Sequence, residues 1–379
     1  MGLISLPPET PRADLDLEGL LRHESVQDGI FSHKRTLVAE WYPQSGVQLT
    51  WPHEQTDWAP ILGETTTTYI RLAYEIATRE RLIIVTPEPD TLWDFLKSQL
   101  PHRAIANIRL VSAETNDTWA RDHAFLSVVS EHTVELHDYK FNGWGDKFEA
   151  EKDNAINRAL FDSGLAHGTY VNHLNFVLEG GSIETDGQGT LLTTSRCLLN
   201  PNRNPSLSRE TIEASLKDWL GVEHILWLDY GHLEGDDTDA HIDTLARLCP
   251  DGKLLFVRCD NPAEECYEEF QQMEAQLRSF TNAQGQPYEL IPLPWPEAVV
   301  ADGERLPATY ANYLVLNRAV LLPTYNQPEK DAIAIKALSR AFPGYDIVPV
   351  PCTTLLKQHG SLHCATMQYP KGVFNFTNE

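Results

Sequence analysis

Four polar segments punctuate the chain, and each carries side chains able to do chemistry: 116–125 (NDTWARDHAF), 175–194 (NFVLEGGSIETDGQGTLLTT), 235–243 (GDDTDAHID) and 360–368 (GSLHCATMQ). The last holds a thiol, Cys364, directly after His363. The third packs Asp236, Asp237, Asp239, His241 and Asp243 into nine positions, a density whose self-repulsion calls for a cation. In an extended stretch His241 and Asp243 point to the same side. An imidazole beside a carboxylate gains proton affinity and serves as a general acid near neutral pH. In the first segment Trp119 stands three residues before Asp122, and an aromatic face with a carboxylate grips a flat cation. A guanidinium suits that pairing, because it stacks on the ring and pairs bidentately with the acid. Glu179 ends an apolar run just before Gly180 and Gly181, which allow close approach of backbone or ligand.

A thiol with an acid–base histidine is a covalent-catalysis set. Acyl transfer develops an oxyanion and needs hydrogen-bond donors, so the surplus of carboxylates points instead to an electrophile that is itself cationic. Two rival readings use fewer of these residues. A metal-dependent hydrolase would take the acidic loop with another imidazole, such as His232 or His363. A non-catalytic polyamine-binding protein would use the carboxylates and Trp119 without Cys364.

The elements that must position these groups follow from composition and periodicity. With 379 residues, 42% hydrophobic and 22% charged, the chain can bury a large core, and no linker divides it. Residues 1–24 are expected to be a loosely held extension, partly helical at LEGLLRHE, and 25–379 a single domain. The formal charge of −24, from 54 acidic and 30 basic residues, excludes nucleic acid and anionic membrane as partners and attracts a small cation. No segment approaches the roughly 18 apolar residues of a membrane span, and the start lacks a signal-peptide pattern, so a cytoplasmic location is expected. The cysteines, 197, 249, 259, 266, 352 and 364, form no CxxC pair and read as reduced thiols, with Cys197 and Cys249 as small buried hydrophobes.

Short β-type runs (RLIIVTPE, NIRLVSA, AFLSVV, HILWLDY, KLLFVRC, YLVLNRAVLLPTY, DIVPVPC) alternate with amphipathic helices over 68–82, 208–221 and 329–342. Ser208 caps the second of these helices and Gly221 closes it. The class is therefore α+β. Gaps of roughly 60 residues between the first three polar segments suggest a repeated unit that delivers one site segment per turn, with a further unit around ANYLVLNRAVLLPTY in the longer gap before the last.

The segments TNDTWARDHAF, LEGGSIETDGQGTLL, GDDTDAHIDTLARL and HGSLHCATMQ resemble the agmatine deiminase family and its bacterial peptidylarginine-deiminase-like relatives. The similarity runs from LTWPHEQTDW at 49–58 through LLNPNRNPSLSRE at 198–210 to Cys364. It implies the pentein fold, a five-bladed α/β propeller with pseudo-fivefold symmetry around a central active site. It implies Cys364 as nucleophile, His241 as general acid and base, Asp122 and Asp243 as guanidinium-holding carboxylates, Glu179 as the residue orienting the histidine, and Trp119 beside the substrate chain. Asp117 with Asn116 shapes the loop. No metal or organic cofactor is implied, and the partner is a small cationic guanidino compound, with a homo-oligomer left open. The chemistry implied is hydrolysis of agmatine to N-carbamoylputrescine and ammonia through a covalent thiouronium on Cys364. The alternative is arginine or a C-terminal peptidyl-arginine. Agmatine carries a second cation at its far end, which Asp236 and Asp237 are placed to meet, whereas an arginine carboxylate would need Arg121, Arg196 or Arg203. The chain departs from the family's commoner pattern at Ala240, where glycine often precedes the histidine, and at QHGSLHC, where a Gly-rich GGGNIHC-like run is usual.

Overall fold

The apolar runs become strands, and the amphipathic stretches become the helices that return the chain between them. The computed structural model describes residues 34–131 and 133–376. It begins with β1 (Thr36–Leu37) and β2 (Gln44–Thr50), then helix α1 (Leu62–Ala77), β3 (Arg81–Thr86) and β4 (Ile108–Ser112). Next come β5 (Leu126–Val129), β6 (Val134–Lys140), α2 (Glu151–Asp162) and β7 (Thr169–Val177), followed by β8 (Ile183–Thr185), β9 (Thr190–Thr194), α3 (Arg209–Leu220) and β10 (His224–Leu228). The remainder is β11 (Ala246–Cys249), β12 (Lys253–Arg258), α4 (Tyr267–Leu277), β13 (Glu289–Pro294), a hairpin of β14 (Val299–Ala301) and β15 (Glu304–Leu306), then β16 (Leu314–Leu316), β17 (Ala319–Thr324), α5 (Pro328–Ala341), β18 (Asp346–Pro351) and β19 (Thr366–Pro370).

Five mixed sheets repeat one plan: an antiparallel pair, a crossing helix, and a strand parallel to the second member of the pair. The sets are β5–β6–β7, β8–β9–β10, β11–β12–β13, β16–β17–β18 and β19–β2–β3. The last set joins the two ends of the chain, with Thr366 opposite Leu49, and β4 adds to it in parallel. The fold is α+β, and the roughly 60-residue spacing seen in the sequence is the length of one unit.

Local chemistry explains the boundaries. Ser208 accepts the backbone N–H of Thr211 at 3.3 Å to start α3, and Gly221 ends it at φ +66°, where a Cβ would lie 2.0 Å from the Arg35 carbonyl oxygen. The helix expected over 68–82 stops instead at Ala77 and begins earlier, at Leu62. Its expected tail, from Arg81, is the start of β3, whose LIIVT residues are all buried between β2 and β4. A strand covered on both faces reads as a continuous apolar run, and β-branched side chains favour it over another helical turn. The extension expected over 1–24 lies outside the described residues. Among the described residues no helix is long and apolar enough to cross a membrane.

Candidate active site

The segments that feed the first strands of the five units supply one or two functional side chains each, and they meet in the protein interior. Asp122 precedes β5, Glu179 and Gly181 precede β8, His241 and Asp243 precede β11, Asn312 precedes β16, and Cys364 precedes β19. Cys364 is 7% exposed, while Asp122, Glu179, His241 and Asp243 are at 3% or less. Gly181 sits at their junction: a Cβ there would lie 2.6 Å from His241 Nδ1, 2.8 Å from Asp122 Oδ1 and 3.2 Å from Asp243 Oδ2.

Asn312 fixes the thiol. Its Oδ1 accepts the backbone N–H groups of His363 (2.9 Å) and Cys364 (3.2 Å), and its Nδ2 lies 3.1 Å from Cys364 Sγ and 3.2 Å from Asp243 Oδ2. Asp243 Oδ2 is itself 3.9 Å from Sγ. Burial, with the charges of Asp243 and Asp122, holds the Cys364 thiol well above its ordinary range and favours its protonated form.

His241 follows a loop that turns it into the buried cluster. The Asp236 carboxylate accepts Thr238 N–H and Oγ1–H and Ala240 N–H, and Asp239 and Ala240 take left-handed φ values of +67° and +66°. The extended geometry expected for His241 and Asp243 is therefore replaced by a turn entering a short 3-10 helix, Ile242–Thr244. Both side chains still face the position above Gly181. Burial opposes charge on His241, but Asp122, at 3.6 Å, with Cys197 and Glu179 beside it, outweighs that and raises its pKa well above the ordinary value. It is charged at neutral pH. Asp122 is pushed up to about 6 by burial against the pull of His241, and its oxygens accept Gly181 N–H (3.0 Å) and Trp144 Nε1–H (3.0 Å). Asp243 is held below the usual carboxylate range because His363, Nδ1 at 2.7 Å, overcomes the cost of burial.

Several buried hydrogen-bonding atoms in this cluster are unspent. Both nitrogens of His241, Asp243 Oδ1 and Glu179 Oε2 are buried with no hydrogen-bond partner. Trp119 is buried, tied through Nε1 to Asp117 Oδ2 (3.1 Å), and packs so tightly on Gly360 that a Cβ there would meet its ring at 2.3 Å. Asp117 also accepts Trp58 Nε1–H and Thr118 N–H, and Asn116 Oδ1 accepts Lys152 N–H, so this pair shapes the loop.

The far-end acids expected at 236 and 237 are placed differently from each other. Asp236 is spent on the loop backbone, whereas Asp237 is half-buried near His359 and Lys147, which push against its raised proton affinity. Of the three arginines weighed for a substrate carboxylate, Arg203 and Arg196 are ion-paired, whereas Arg121 keeps a buried Nη2 without a hydrogen-bond partner. Arg203 pairs with Glu179 (2.6 Å) and Asp239 (2.8 Å), Arg196 pairs with Glu269, and Arg121 is buried with its Nε toward the His363 carbonyl. For a metal, Glu179, Cys197 and His241 bring three ligand-type atoms within 4.8 Å, but Glu179 already holds Arg203, and the carboxylates of Asp236 and Asp239 are committed elsewhere.

Sequence reasoning missed Asn312, Trp144 and Glu40. The first had a signal: a polar Asn directly before the β-run YLVLNRAVLLPTY, where the 60-residue period calls for a site segment. Glu40 in LVAEWYP is a lone acid in an apolar run, and Trp144 lies between glycines.

A family model, Porphyromonas-type peptidyl-arginine deiminase, matches residues 36–370. An agmatine deiminase of Stutzerimonas stutzeri (strain A1501) is 32% identical over 371 residues, covering 91% of this chain and 96% of the relative. Among solved structures, the "Putative Arginine Deiminase" of Porphyromonas gingivalis is 47% identical with a TM-score of 0.85, covering 90% of this chain and 100% of that one. An agmatine deiminase of C. jejuni with substrate bound is 35% identical with a TM-score of 0.82, covering 89% and 97%.

Proposed function

The chain belongs to the family of Porphyromonas-type peptidyl-arginine deiminases, and on that premise we propose that it is an agmatine deiminase, hydrolysing the guanidinium of agmatine to N-carbamoylputrescine and ammonia. The observation that carries this reading is the convergence of His241, Asp122 and Asp243 on one buried position, with Cys364 beside Asp243, where both His241 nitrogens and Asp243 Oδ1 lack partners. Two carboxylates on the substrate cation align its carbon with Sγ at a near-attack distance of about 3–3.5 Å. The cation offsets the repulsion that keeps Cys364 protonated, so the thiolate forms where and when it is needed. Attack gives a tetrahedral carbon; protonated His241 gives its proton to a departing nitrogen, which leaves as ammonia, and the thiouronium remains on Cys364. Neutral His241 then takes one proton from water as the water attacks; collapse of the adduct expels the Cys364 thiolate, and the remaining hydroxyl proton passes to solvent, leaving the neutral ureido product.

Agmatine is favoured over arginine because a substrate carboxylate needs an available cation: Arg196 and Arg203 are ion-paired, and Arg121, whose Nη2 has no hydrogen-bond partner, lines a cavity it shares with the carboxylates of Glu40 and Glu184. The second reading, arginine or a C-terminal peptidyl-arginine, has the P. gingivalis likeness in its favour. As part of the same reading, 25–379 is one catalytic domain, a five-bladed propeller around a pseudo-fivefold axis; the support is that functional side chains enter at the same point of each unit. The buried free thiols Cys197, Cys249, Cys259 and Cys352 suit a reducing cytoplasm.

The test is detection of ureido product from agmatine, arginine and an arginine-terminated peptide in parallel, with EDTA present and Cys364→Ala as control. Turnover of agmatine alone, abolished in the variant, is the expected result. Turnover only of an arginine substrate replaces the pocket assignment, and activity retained in Cys364→Ala refutes the mechanism.

A further inference from the structure

The empty site leaves one step without a recipient: the proton that Cys364 must lose. His241 contacts Asp122 and is already charged, so it is unable to take it. The polar side chains within reach of Sγ are Asn312, an amide with no useful basicity, and Asp243, whose Oδ2 is 3.9 Å away. That same oxygen lies 2.7 Å from His363 Nδ1, and His363 Nε2 lies 2.9 Å from Glu40 Oε2. All three residues are at least nine-tenths buried.

We propose that Glu40 and His363 form a buried proton-holding relay attached to Asp243, which takes up the Cys364 thiol proton when a guanidinium or amidinium cation binds; this rests on the deiminase reading above. A neutral imidazole has one N–H and one lone pair. With a carboxylate oxygen against each ring nitrogen, one contact sets a lone pair against an anion, and only an additional proton completes both hydrogen bonds. Burial and the guanidinium groups of Arg121 and Arg247 lower the proton affinity of His363, against Glu40 and Asp243, which raise it, and this favours the neutral ring that can accept the proton. Glu40 is held below the usual carboxylate range against its burial, foremost by the Arg247 guanidinium, and Arg247 is held in turn by Glu184 Oε2 at 2.8 Å.

The step balances within the site. The S–H bond breaks and its electron pair stays on Sγ for attack on the amidinium carbon. The proton passes by way of Asp243 Oδ2 to His363, giving an imidazolium between two carboxylates, and it returns to Sγ after product leaves. Glu40, His363, Arg121 and Glu184 line a cavity of about 50 Å³, enough for water, so the far end of the relay can be hydrated. Glu40 and His363 act through Asp243 and are positioning residues.

The test is the inactivation of the full chain by 2-chloroacetamidine at neutral pH, resolved into kinact and KI, in wild type, Glu40→Gln and His363→Asn, with thermal unfolding as a check on folding. The relay predicts that kinact falls about 10- to 100-fold in both variants. A purely through-space role of Glu40 predicts the opposite sign, because deleting a negative charge favours the thiolate; an unchanged or faster kinact in Glu40→Gln overturns the proposal. A loss confined to KI also overturns it, reducing both residues to holding Asp243 in place. If Glu40→Gln does not fold, His363→Asn, which retains a donor for Asp243, decides alone. Alkylation needs no turnover, so a wild-type protein inert toward agmatine refutes the substrate reading and leaves this result standing.

Discussion

Gly181→Ala should abolish turnover with a nearly intact fold. Gly181 has no positive φ, so its backbone admits alanine. Its Cβ, however, would lie 2.6 Å from His241 Nδ1 and 2.8 Å from Asp122 Oδ1, short of the 3.4 Å of an ordinary contact by about 0.8 and about 0.6 Å. Neither neighbour is a flexible tip: His241 is fully buried directly after the left-handed turn at Asp239 and Ala240, and Asp122 is held by Gly181 N–H and Trp144. The methyl therefore stands in the guanidinium seat or pushes the acid and the carboxylate apart by most of an ångström. A displacement of about 1 Å costs about 100-fold in rate, which is about 3 kcal/mol of transition-state stabilisation. Overpacking of this size costs about 1–3 kcal/mol of fold stability, which a large domain tolerates. The assay is ureido product from agmatine alongside a thermal melt. A folded Gly181→Ala protein with kcat/KM within threefold of wild type would refute the placement of the site at the junction of Asp122, His241 and Asp243.

Three further outcomes follow from local features. Ala240→Gly should raise Tm, since relieving an alanine at φ +66° gains about 1–2 kcal/mol against about 0.5–1 kcal/mol of added chain entropy; a lower Tm counts against strain there. KM for agmatine should rise as pH falls through about 6, because Asp122, pushed up to about 6, must be ionised to hold the cation, and a KM flat from pH 5 to 7.5 would remove Asp122 from binding. Glu80 is fully buried, with Oε1 on Asn317 N–H and Oε2 unpartnered, and burial pushes it up to about 8. Its raised pKa means that folding is penalised increasingly as pH climbs from the ordinary carboxylate value toward 8, so Glu80→Gln should raise Tm at pH 7.5 and leave it unchanged at pH 4.5. A gain equal at both pH values would assign the effect to packing.

How much of this was legible depends on whether the cause is local. The β-runs and the caps of α3 are set by neighbours in the chain, so Ser208 and Gly221 announce both ends of that helix, and the unit length shows in the spacing of 122, 181 and 243. Boundary errors arose where packing overrides propensity, as at Arg81, where burial between two strands ends a helical pattern early. Residue types alone indicated a thiol, an acid–base histidine and surplus acids, hence a cationic electrophile. Which acids serve was decided by the tertiary structure. Within one nine-residue loop Asp236 is consumed by backbone N–H groups and Asp239 by Arg203, while Asp243 reaches the thiol, because the left-handed turn at 239–240 points alternate side chains in directions that no strand periodicity predicts. Asn312, His363 and Glu40 acquire their meaning the same way: contacts spanning 52 residues to Cys364 and 323 between the last two exist only in the folded chain, where distant segments meet.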